Sequence, residues 1–310
     1  MAQKTLLITG TDGFIGKYLK NYFKDLGNKV IGTVYIDKSG EDEVKVDVRN
    51  REEFDEIPDI KYDVIIHTAG IVDQRAPKKL IFDVNAEGTK NLLDWIGDDK
   101  CEHLIQMSST AVYGFKLLGE NRCEETKKCR WIGIPYMKSK AKAERYIINS
   151  DVKYTLLRMP PVLGENDSYI SPTIIPRLLN GTFFFCGKKD SLYSTFYVKN
   201  LGPIVEKFIK IGPKNIAVNC TDYEITWNEY IEEYAKQLGV EVIDQKKSIF
   251  SVFWNWKNKH YLLMLSYSKF GAHYPNDKMK EFINFQPKYS WREGVKEAVE
   301  AYLKNSDMPS

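Results

Sequence analysis

Short apolar runs alternate along this chain with longer stretches of helical periodicity, and this alternation constrains the fold more than any other feature. The runs cover residues 6–9, 30–35, 64–68, 103–108, 155–159 and 216–219. Strands that alternate with helices predict a parallel sheet wrapped by helices on both faces. Residues 64–66 and 104–105 contain no polar alternate position, which is typical of strands buried on both faces. We therefore predict a doubly wound α/β fold with these two runs as central strands.

A glycine-rich turn follows the first predicted strand and precedes a helical pattern. Its residues are Thr9-Gly10-Thr11-Asp12-Gly13-Phe14-Ile15-Gly16. Glycines here allow a tight turn and let a dinucleotide pyrophosphate approach the N–H groups at a helix N-terminus. Such a turn alone is weak evidence, but its place at the start of a βαβ unit favours a Rossmann-type dinucleotide site.

The pattern loosens after Pro160 into proline-rich and aromatic stretches, before the apolar run at 216–219 and a polar helix over 227–238. A chain of 310 residues is long enough for two units. We predict a dinucleotide-binding Rossmann domain over residues 1–164, with a returning segment near 198–220. Residues 165–310 would form mainly a smaller α/β substrate-binding lobe.

Charge and composition argue against several other classes of protein. The 45 Lys and Arg residues balance 42 Asp and Glu residues and are interspersed, so no cationic face for nucleic acid is predicted. Five cysteines without a C-x-x-C pair, and four histidines without zinc-site spacing, predict no metal. The apolar stretch 249–270 contains charged residues, and the N-terminus lacks signal-peptide features. We expect a cytoplasmic protein without a membrane partner.

Tyr136 and Lys140 lie four residues apart at the start of a helical pattern, so their side chains share one helix face. A neighbouring cation stabilises a phenolate, which makes the phenol a usable acid and base near neutral pH. The pair alone is more often a solvated helix face. However, the predicted strand ending near Ser109 places a hydroxyl at the carboxyl edge of the sheet, where ligands bind.

With the glycine turn, the strand-end serine and Tyr-x-x-x-Lys in this order, the sequence resembles the extended short-chain dehydrogenase/reductase family. This family contains nucleotide-sugar epimerases, dehydratases and reductases. The resemblance covers nearly the whole chain. Further segments that carry it are residues 47–49, 67–70, 85–91, 108–114, 136–144, 157–164, 197–201 and 287–294.

The resemblance implies hydride exchange between NAD or NADP and a carbon that bears a hydroxyl or carbonyl. Tyr136 would transfer the proton on that oxygen, Ser109 would hydrogen-bond it, and Lys140 would lower the phenol pKa and hold the nicotinamide ribose. The implied cofactor-binding residues are Gly10, Asp12, Gly13, Phe14, Ile15, Gly16, Asp47, Val48, Thr68, Ala69, Gly70, Asn85, Ser108, Tyr136, Lys140 and Pro160. The family also implies a homodimer through the helices after Asn85 and Tyr136.

Two departures from the family pattern concern the reaction and the cofactor. Thr110 and Ala111 stand where dehydratases of the family carry an acidic pair, which disfavours a 4,6-dehydratase. Val34 stands where the acidic residue for the NAD ribose is expected, and Asp37 lies three residues further on. Asp37 is equally well explained as a ribose ligand or as an ordinary loop carboxylate, so the choice between NAD and NADP stays open.

Two further departures concern the substrate. Pro161 replaces an asparagine that is usual in nucleotide-sugar enzymes, and Tyr193 lies near the position of a diphosphate-binding arginine. Other cations that could bind phosphate instead are Arg177, Lys188, Lys189 and Lys199. Residues 181–196 are the predicted wall of the substrate lobe.

These observations leave three hypotheses. The leading one is an NAD(P)-dependent enzyme that acts on a nucleotide-activated sugar as an epimerase, a 4-keto-sugar reductase or a sugar dehydrogenase. The second is a small-carbonyl reductase similar to the dihydroflavonol reductases, which Pro161 favours. The third is a protein that senses a dinucleotide without turnover, which the presence of both Tyr136 and Lys140 disfavours.

Overall fold

The computed structural model describes residues 3–36, 40–73, 75–114, 122–126, 128, 134–185, 189–243 and 273–306. Ten strands lie in these ranges: β1 (Thr5–Thr9), β2 (Lys29–Val34), β3 (Glu43–Lys45), β4 (Val64–His67), β5 (Leu104–Ser109), β6 (Tyr154–Met159), β7 (Val162–Leu163), β8 (Leu192–Tyr197), β9 (Ile216–Asn219) and β10 (Tyr223–Thr226). All six predicted apolar runs form strands, with ends that shift by about one residue.

The α-helices of the described ranges are α1 (Phe14–Asp25), α2 (Lys78–Phe82), α3 (Gly88–Ile96), α4 (Pro135–Ile148), α5 (Ser171–Leu179), α6 (Leu201–Ile211), α7 (Trp227–Leu238), α8 (Asp277–Ile283) and α9 (Trp291–Ser306). A π-helical turn, Asp83–Glu87, joins α2 to α3, and short 3-10 helices cover Arg51–Glu56, Thr110–Tyr113 and Val198–Asn200.

Helix α7 shows how local sequence sets the two ends of a helix. Thr226 and Glu229 form a reciprocal capping box at its start, and Gly239 ends it in a left-handed conformation.

Seven strands form one parallel sheet in the order β3-β2-β1-β4-β5-β6-β9. Leu6, Leu7 and Ile8 of β1 are fully buried, because helices cover both faces of the sheet. The strand order reverses between β1 and β4, and ligands of doubly wound folds bind in the crevice at such a switch point. The predicted doubly wound, Rossmann-type α/β fold is confirmed.

A second sheet of three strands has the order β10-β8-β7. An aromatic core packs beside it, in which the Tyr193 ring lies 5.0 Å from the Trp227 ring and 4.9 Å from the Tyr230 ring. The sequence did not predict β3, β7, β8 or β10, because these strands are short and depend on tertiary packing more than on a long apolar pattern.

Some sequence predictions fall on parts of the chain outside the described ranges. The aromatic stretch 249–270 and Asp37 lie there. Among the helices that the structure describes, none combines the length and the hydrophobicity that a membrane span requires.

Candidate active site

A cleft of about 290 Å³ opens along the carboxyl ends of β1, β4, β5 and β6. It brings together most of the residues that the sequence predicted from the glycine turn and the Tyr-x-x-x-Lys segment. The predicted residues that line it are Gly10, Gly13, Phe14, Ile15, Gly16, Thr68, Gly70, Ser109, Tyr136, Lys140 and Pro160. The cleft therefore joins the predicted cofactor turn to the predicted catalytic groups.

The glycine turn is packed so closely that larger residues do not fit at two positions. Gly10 has φ +73°, and a Cβ there would lie 2.8 Å from the Cα of Ala69. A Cβ on Gly16 would lie 2.1 Å from the carbonyl oxygen of Gly10. Helix α1 begins directly after Gly13, and the N–H groups of a first helical turn lack intrahelical acceptors. This cradle of glycines and free donors fits the pyrophosphate of a dinucleotide.

A buried histidine, His67, lies beside the glycine turn and contacts two threonine hydroxyls. The Thr9 hydroxyl lies 2.7 Å from Nδ1 of His67, and the Thr89 hydroxyl lies 3.3 Å from Nε2. Burial, together with the charge of Lys140, lowers the pKa of His67 to about 3, so the ring is neutral. The Thr68 hydroxyl donates to the carbonyl oxygen of Thr9 at 2.5 Å. These contacts fix β1 and β4 to each other at the cleft.

The three predicted catalytic residues come from two elements. Ser109 ends β5, and its Oγ accepts a hydrogen bond from the Ala111 N–H at 3.1 Å, which caps the following 3-10 helix. Tyr136 and Lys140 lie one turn apart near the start of α4, where Pro135 occupies the first turn. Lys140 Nζ donates to the carbonyl oxygen of Met107 at 3.1 Å. All three line the cleft.

Burial dominates the acid–base properties of these groups. It lowers the pKa of Lys140 to about 8, and the negative charge of Glu144 opposes this shift. It raises the pKa of Tyr136, while the hydrogen bond with Ser109 opposes the rise. A Cβ on Gly70 would lie 3.3 Å from Lys140 Nζ, so the ammonium group is closely confined.

An ionic network lies behind the predicted catalytic residues. Glu144, one turn after Lys140 on α4, accepts two hydrogen bonds of 2.9 Å from Arg158 of β6 and one of 2.6 Å from the Ser108 hydroxyl. Lys128 Nζ lies 2.6 Å from the same carboxylate. Burial favours the neutral acid, but the two cations bring the pKa of Glu144 below its ordinary value. The network fixes α4 against β5 and β6.

Ser108 and Asp12, both predicted to bind the cofactor, make protein contacts instead of lining the cleft. The Ser108 hydroxyl donates its hydrogen bond to the Glu144 carboxylate. The Asp12 carboxylate accepts hydrogen bonds from the Tyr35 and Ile36 N–H groups, at 2.8 and 3.2 Å, and so shapes the turn after β2.

Asp47 and its neighbour Val48 also lie outside the cleft lining. The Asp47 carboxylate pairs with Arg49, which holds its pKa below the ordinary range. Val48 is buried against Gly88, where a Cβ would lie 2.7 Å from a Val48 methyl group. Both residues shape the segment that joins β3 to the following 3-10 helix.

Ala69 and Asn85 are placed next to cleft residues rather than in the lining. Ala69 packs against Gly10. The Asn85 side chain accepts from the Ile71 N–H at 2.7 Å and donates to the Ile71 carbonyl at 3.0 Å, so it holds the chain that carries Gly70.

At the end of the cleft predicted to face the substrate, the structure differs from the sequence expectation. Pro161 lines it, but Tyr193 is fully buried in the aromatic core, and no described residue of 181–196 takes part in the lining. Of the predicted phosphate-binding cations, Lys199 pairs with Glu297 at 2.5 Å, Lys189 lies over the Phe185 ring, and Arg177 donates to the Thr173 carbonyl. Lys188 lies outside the described residues.

Arg122, Tyr169 and Tyr274 line this end instead, and sequence reasoning missed all three. The one available signal was position, since Arg122 belongs to the polar insertion that precedes Tyr136. Tyr274 comes from a distant part of the chain, and no local pattern marks it. Across the described residues, no three side chains of His, Cys, Asp or Glu converge on a potential metal site.

Comparison with known proteins gives one family match. The sequence model of the NAD dependent epimerase/dehydratase family matches residues 6–220 of this chain. Among curated proteins, the chain is 26% identical over 256 residues to N-acetyl-alpha-D-glucosaminyl-diphospho-ditrans,octacis-undecaprenol 4-epimerase of Escherichia coli O157:H7, covering 76% of this chain and 73% of that protein. It is 27% identical over 273 residues to UDP-glucose 4-epimerase 1 of Oryza sativa subsp. japonica, covering 77% and 74%.

Solved structures with the same fold cover nearly the whole chain. The Bordetella bronchiseptica enzyme WbmH in complex with NAD+ superposes with a TM-score of 0.80 at 16% identity, over 97% of this chain and 99% of that one. UDP-glucose 4-epimerase of Thermotoga maritima, with UDP-glucose, gives a TM-score of 0.76 at 20% identity, over 98% and 100%. At these identities the structural likeness shows the fold alone.

Proposed function

The chain belongs to the NAD-dependent epimerase/dehydratase family, and from this premise we propose that it inverts a hydroxyl-bearing carbon, C4, of a nucleotide-activated sugar. The observation that carries the proposal is that Ser109, Tyr136 and Lys140 line the same cleft as the glycine turn. Both curated relatives described above are 4-epimerases, which supports epimerisation at C4. The WbmH structure contains NAD+, which supports NAD as the cofactor.

The residues of this chain have distinct roles in the proposed reaction. The glycine turn and the start of α1 would hold the pyrophosphate of NAD. NAD, when bound, supplies the hydride acceptor and donor for the sugar carbon. Tyr136 would take up and return the proton of the sugar hydroxyl, Ser109 would hydrogen-bond that oxygen, and the Lys140 ammonium would stabilise the phenolate.

Epimerisation is preferred to dehydration because of the residues beside Ser109. Thr110 and Ala111 both line the cleft, and neither offers a carboxylate for the elimination of water. The Thr110 hydroxyl donates to the Met159 carbonyl oxygen at 3.4 Å. A homodimer and a cytoplasmic location stay predictions.

The first experiment identifies the nucleotide that is released when the purified protein is denatured, by mass spectrometry. An epimerase must keep its nicotinamide between two opposite hydride transfers, so we expect about one NAD per chain. The protein is then incubated with UDP-glucose and UDP-N-acetylglucosamine, and NMR is used to detect the C4 epimer. Accumulation of NADH with an oxidised sugar would instead identify a dehydrogenase.

The Tyr136→Phe variant tests the acid–base role. We expect it to keep its NAD and to lose turnover by roughly 100- to 10,000-fold, which is the contribution of a positioned acid–base group. Tyr146→Phe on the same helix is the matched control, because that hydroxyl faces Glu87 and lies outside the cleft lining. Equal turnover of the two variants, or a protein that binds no nicotinamide, would contradict the proposal.

A further inference from the structure

Arg122 is an almost completely buried cation in the wall of the cleft. It is 2% exposed, and it lines the same cleft as Ser109 and Tyr136. One guanidinium nitrogen, Nη1, donates to the Tyr274 hydroxyl at 3.0 Å, and the guanidinium carbon lies 5.6 Å from the centre of that ring. Nε is buried and has no hydrogen-bond acceptor among the residues that the structure describes.

Two carboxylates that follow Arg122 in the sequence, Glu124 and Glu125, have other partners. Glu124 Oε1 accepts a hydrogen bond from the Asn219 N–H at 2.7 Å. Glu125 pairs with Lys278 at 2.5 Å. In the described part of the chain, no ion pair includes Arg122. Among the residues that the structure describes, no neighbouring acid therefore neutralises its positive charge.

The fold holds the Arg122 backbone in place. Its carbonyl oxygen accepts from the Asn219 side chain at 2.8 Å, and its N–H donates to the His273 carbonyl at 3.3 Å. Tyr274, which accepts from the guanidinium, stacks on Tyr113 with ring centres 5.8 Å apart and planes at 17°. The guanidinium is thus oriented before any ligand binds, which lowers the ordering cost of binding.

A buried charge without a counter-ion is costly, so an anion that enters the cleft would relieve this cost by pairing with the guanidinium. We propose that Arg122 binds an oxyanion of the substrate, either the phosphate next to the sugar or a carboxylate on the sugar ring. A guanidinium binds both groups through paired N–H donors. This inference rests on the proposed function, because the reacting sugar must occupy the same cleft as its anionic group.

The position of Arg122 sets the direction in which the substrate lies. Its guanidinium contacts Tyr274, whose ring stacks on Tyr113 of the 3-10 helix that follows Ser109. The glycine turn lines the cleft through other elements, β1 and α1. An anion bound by Arg122 would therefore lie on the substrate side of the catalytic residues and not at the cofactor pyrophosphate.

The test compares Arg122→Met, which removes the charge but keeps much of the volume, with the wild-type protein loaded with NAD. Arg51→Met is the matched control, because Arg51 forms an exposed pair with Asp55 and lies outside the cleft lining. Binding of UDP-glucose and of UDP-glucuronic acid is measured by calorimetry. We expect Arg122→Met to weaken at least one of them by roughly 10- to 100-fold, the contribution of charge-assisted hydrogen bonds.

The two probes distinguish the two oxyanions. An equal loss for both assigns Arg122 to the phosphate that they share, and a larger loss for UDP-glucuronic acid assigns it to the carboxylate. Arg122→Lys should restore part of the affinity, since it restores the charge without the paired donors. Unchanged affinity for both probes, or a wild-type protein that binds neither, would overturn the inference.

A structural role for Arg122 predicts a different result. Removing an unpaired buried charge should leave the melting temperature of the free protein unchanged or higher. A lower melting temperature together with lost NAD binding would overturn the inference and assign Arg122 to the fold. The proposed function is judged separately, because its failure would appear as absent NAD or absent turnover in the wild-type protein.

Discussion

Arg158 and Arg122 are equally buried, at 2% exposure each, but they lie in two differently built regions, Arg158 behind the lining of the cleft and Arg122 within it. Behind the catalytic residues, Arg158 makes paired hydrogen bonds with Glu144 and a further one of 2.9 Å with the Tyr113 hydroxyl. In the substrate-facing wall, Arg122 has the Tyr274 hydroxyl and no carboxylate among its described contacts. In the first region, protein groups accept the hydrogen bonds of the buried arginine. In the second, Arg122 Nε has no acceptor among the described residues and is available to a ligand.

The two regions differ in how their buried charges affect the stability of the folded protein. A buried ion pair is strongly destabilised when one partner is removed, because the other charge is left without compensation. The network behind the catalytic residues therefore contributes to the folded state with or without ligands. In contrast, Arg122 has no anionic partner among the described residues, so its burial lowers the stability of the free protein and an anion that binds it gains affinity.

The largest expected effect comes from removing the negative charge that pairs with Arg158, so that this buried arginine also lacks a carboxylate partner. Glu144→Gln keeps the shape of the side chain but leaves Arg158 and Lys128 without their shared anion. We expect the free energy of unfolding at pH 7 to fall by about 3–5 kcal/mol, measured by urea denaturation. Glu300→Gln is the matched control, because Glu300 lies in a half-exposed surface pair with Lys296.

The same variant has a predicted pH dependence. The folded-state pKa of Glu144 lies below its ordinary value of 4.5, so its stabilisation is present above that pH. It is lost as the pH falls through the folded-state pKa, because wild-type Glu144 then becomes neutral as well. The difference between wild type and Glu144→Gln should therefore shrink in acid, and a constant difference would show that charge is not the cause.

An intermediate effect is expected in the glycine turn, where the cradle leaves no room for a side chain. Gly16→Ala would place a Cβ 2.1 Å from the backbone oxygen of Gly10, so the turn must shift. We expect NAD affinity to fall by up to about 100-fold, equivalent to roughly 2–3 kcal/mol of overpacking. Gly40→Ala is the control, since no atom lies within 4 Å of its added Cβ. Equal NAD affinity for the two variants, measured by calorimetry, would contradict the proposal that the glycine turn binds NAD.

The smallest effect is expected in the substrate-facing wall. Tyr274→Phe keeps the ring that stacks on Tyr113 but removes the hydroxyl that accepts from Arg122. We expect roughly two- to fivefold weaker binding of UDP-glucose, or of UDP-glucuronic acid if that is the sensitive probe, with NAD affinity unchanged. No change for either sugar nucleotide would show that Tyr274 does not orient the guanidinium.

Much of the fold and of the cofactor side could be predicted from local sequence. The six apolar runs specify their strands because burial on both faces requires continuous apolar residues. The glycine turn could be recognised from local sequence, because the close contact between Gly16 and Gly10 involves residues that are near each other in the chain. Tyr136 and Lys140 likewise share a face because of helical spacing alone.

The substrate side could not be predicted in the same way. Of the cations that the sequence offered for phosphate binding, the structure pairs Lys199 with Glu297 and places Lys189 over the Phe185 ring. The burial and pairing of a side chain depend on residues distant in the chain, and no periodicity reports them. Asp12 and Asn85 illustrate the same point, because their contacts stabilise neighbouring segments of backbone.

The sequence by itself determined the parallel sheet, the glycine turn and the spacing of Tyr136 and Lys140, because each depends on residues close together in the chain. Only the tertiary structure decided that Arg158 pairs with a carboxylate and that Arg122 has none among the residues that the structure describes. Glu144 and Arg158 are 14 residues apart, whereas Tyr274 reaches Arg122 across 152 residues. Partners of a buried charge are set by the packing of distant segments, and this packing is what separates the two arginines.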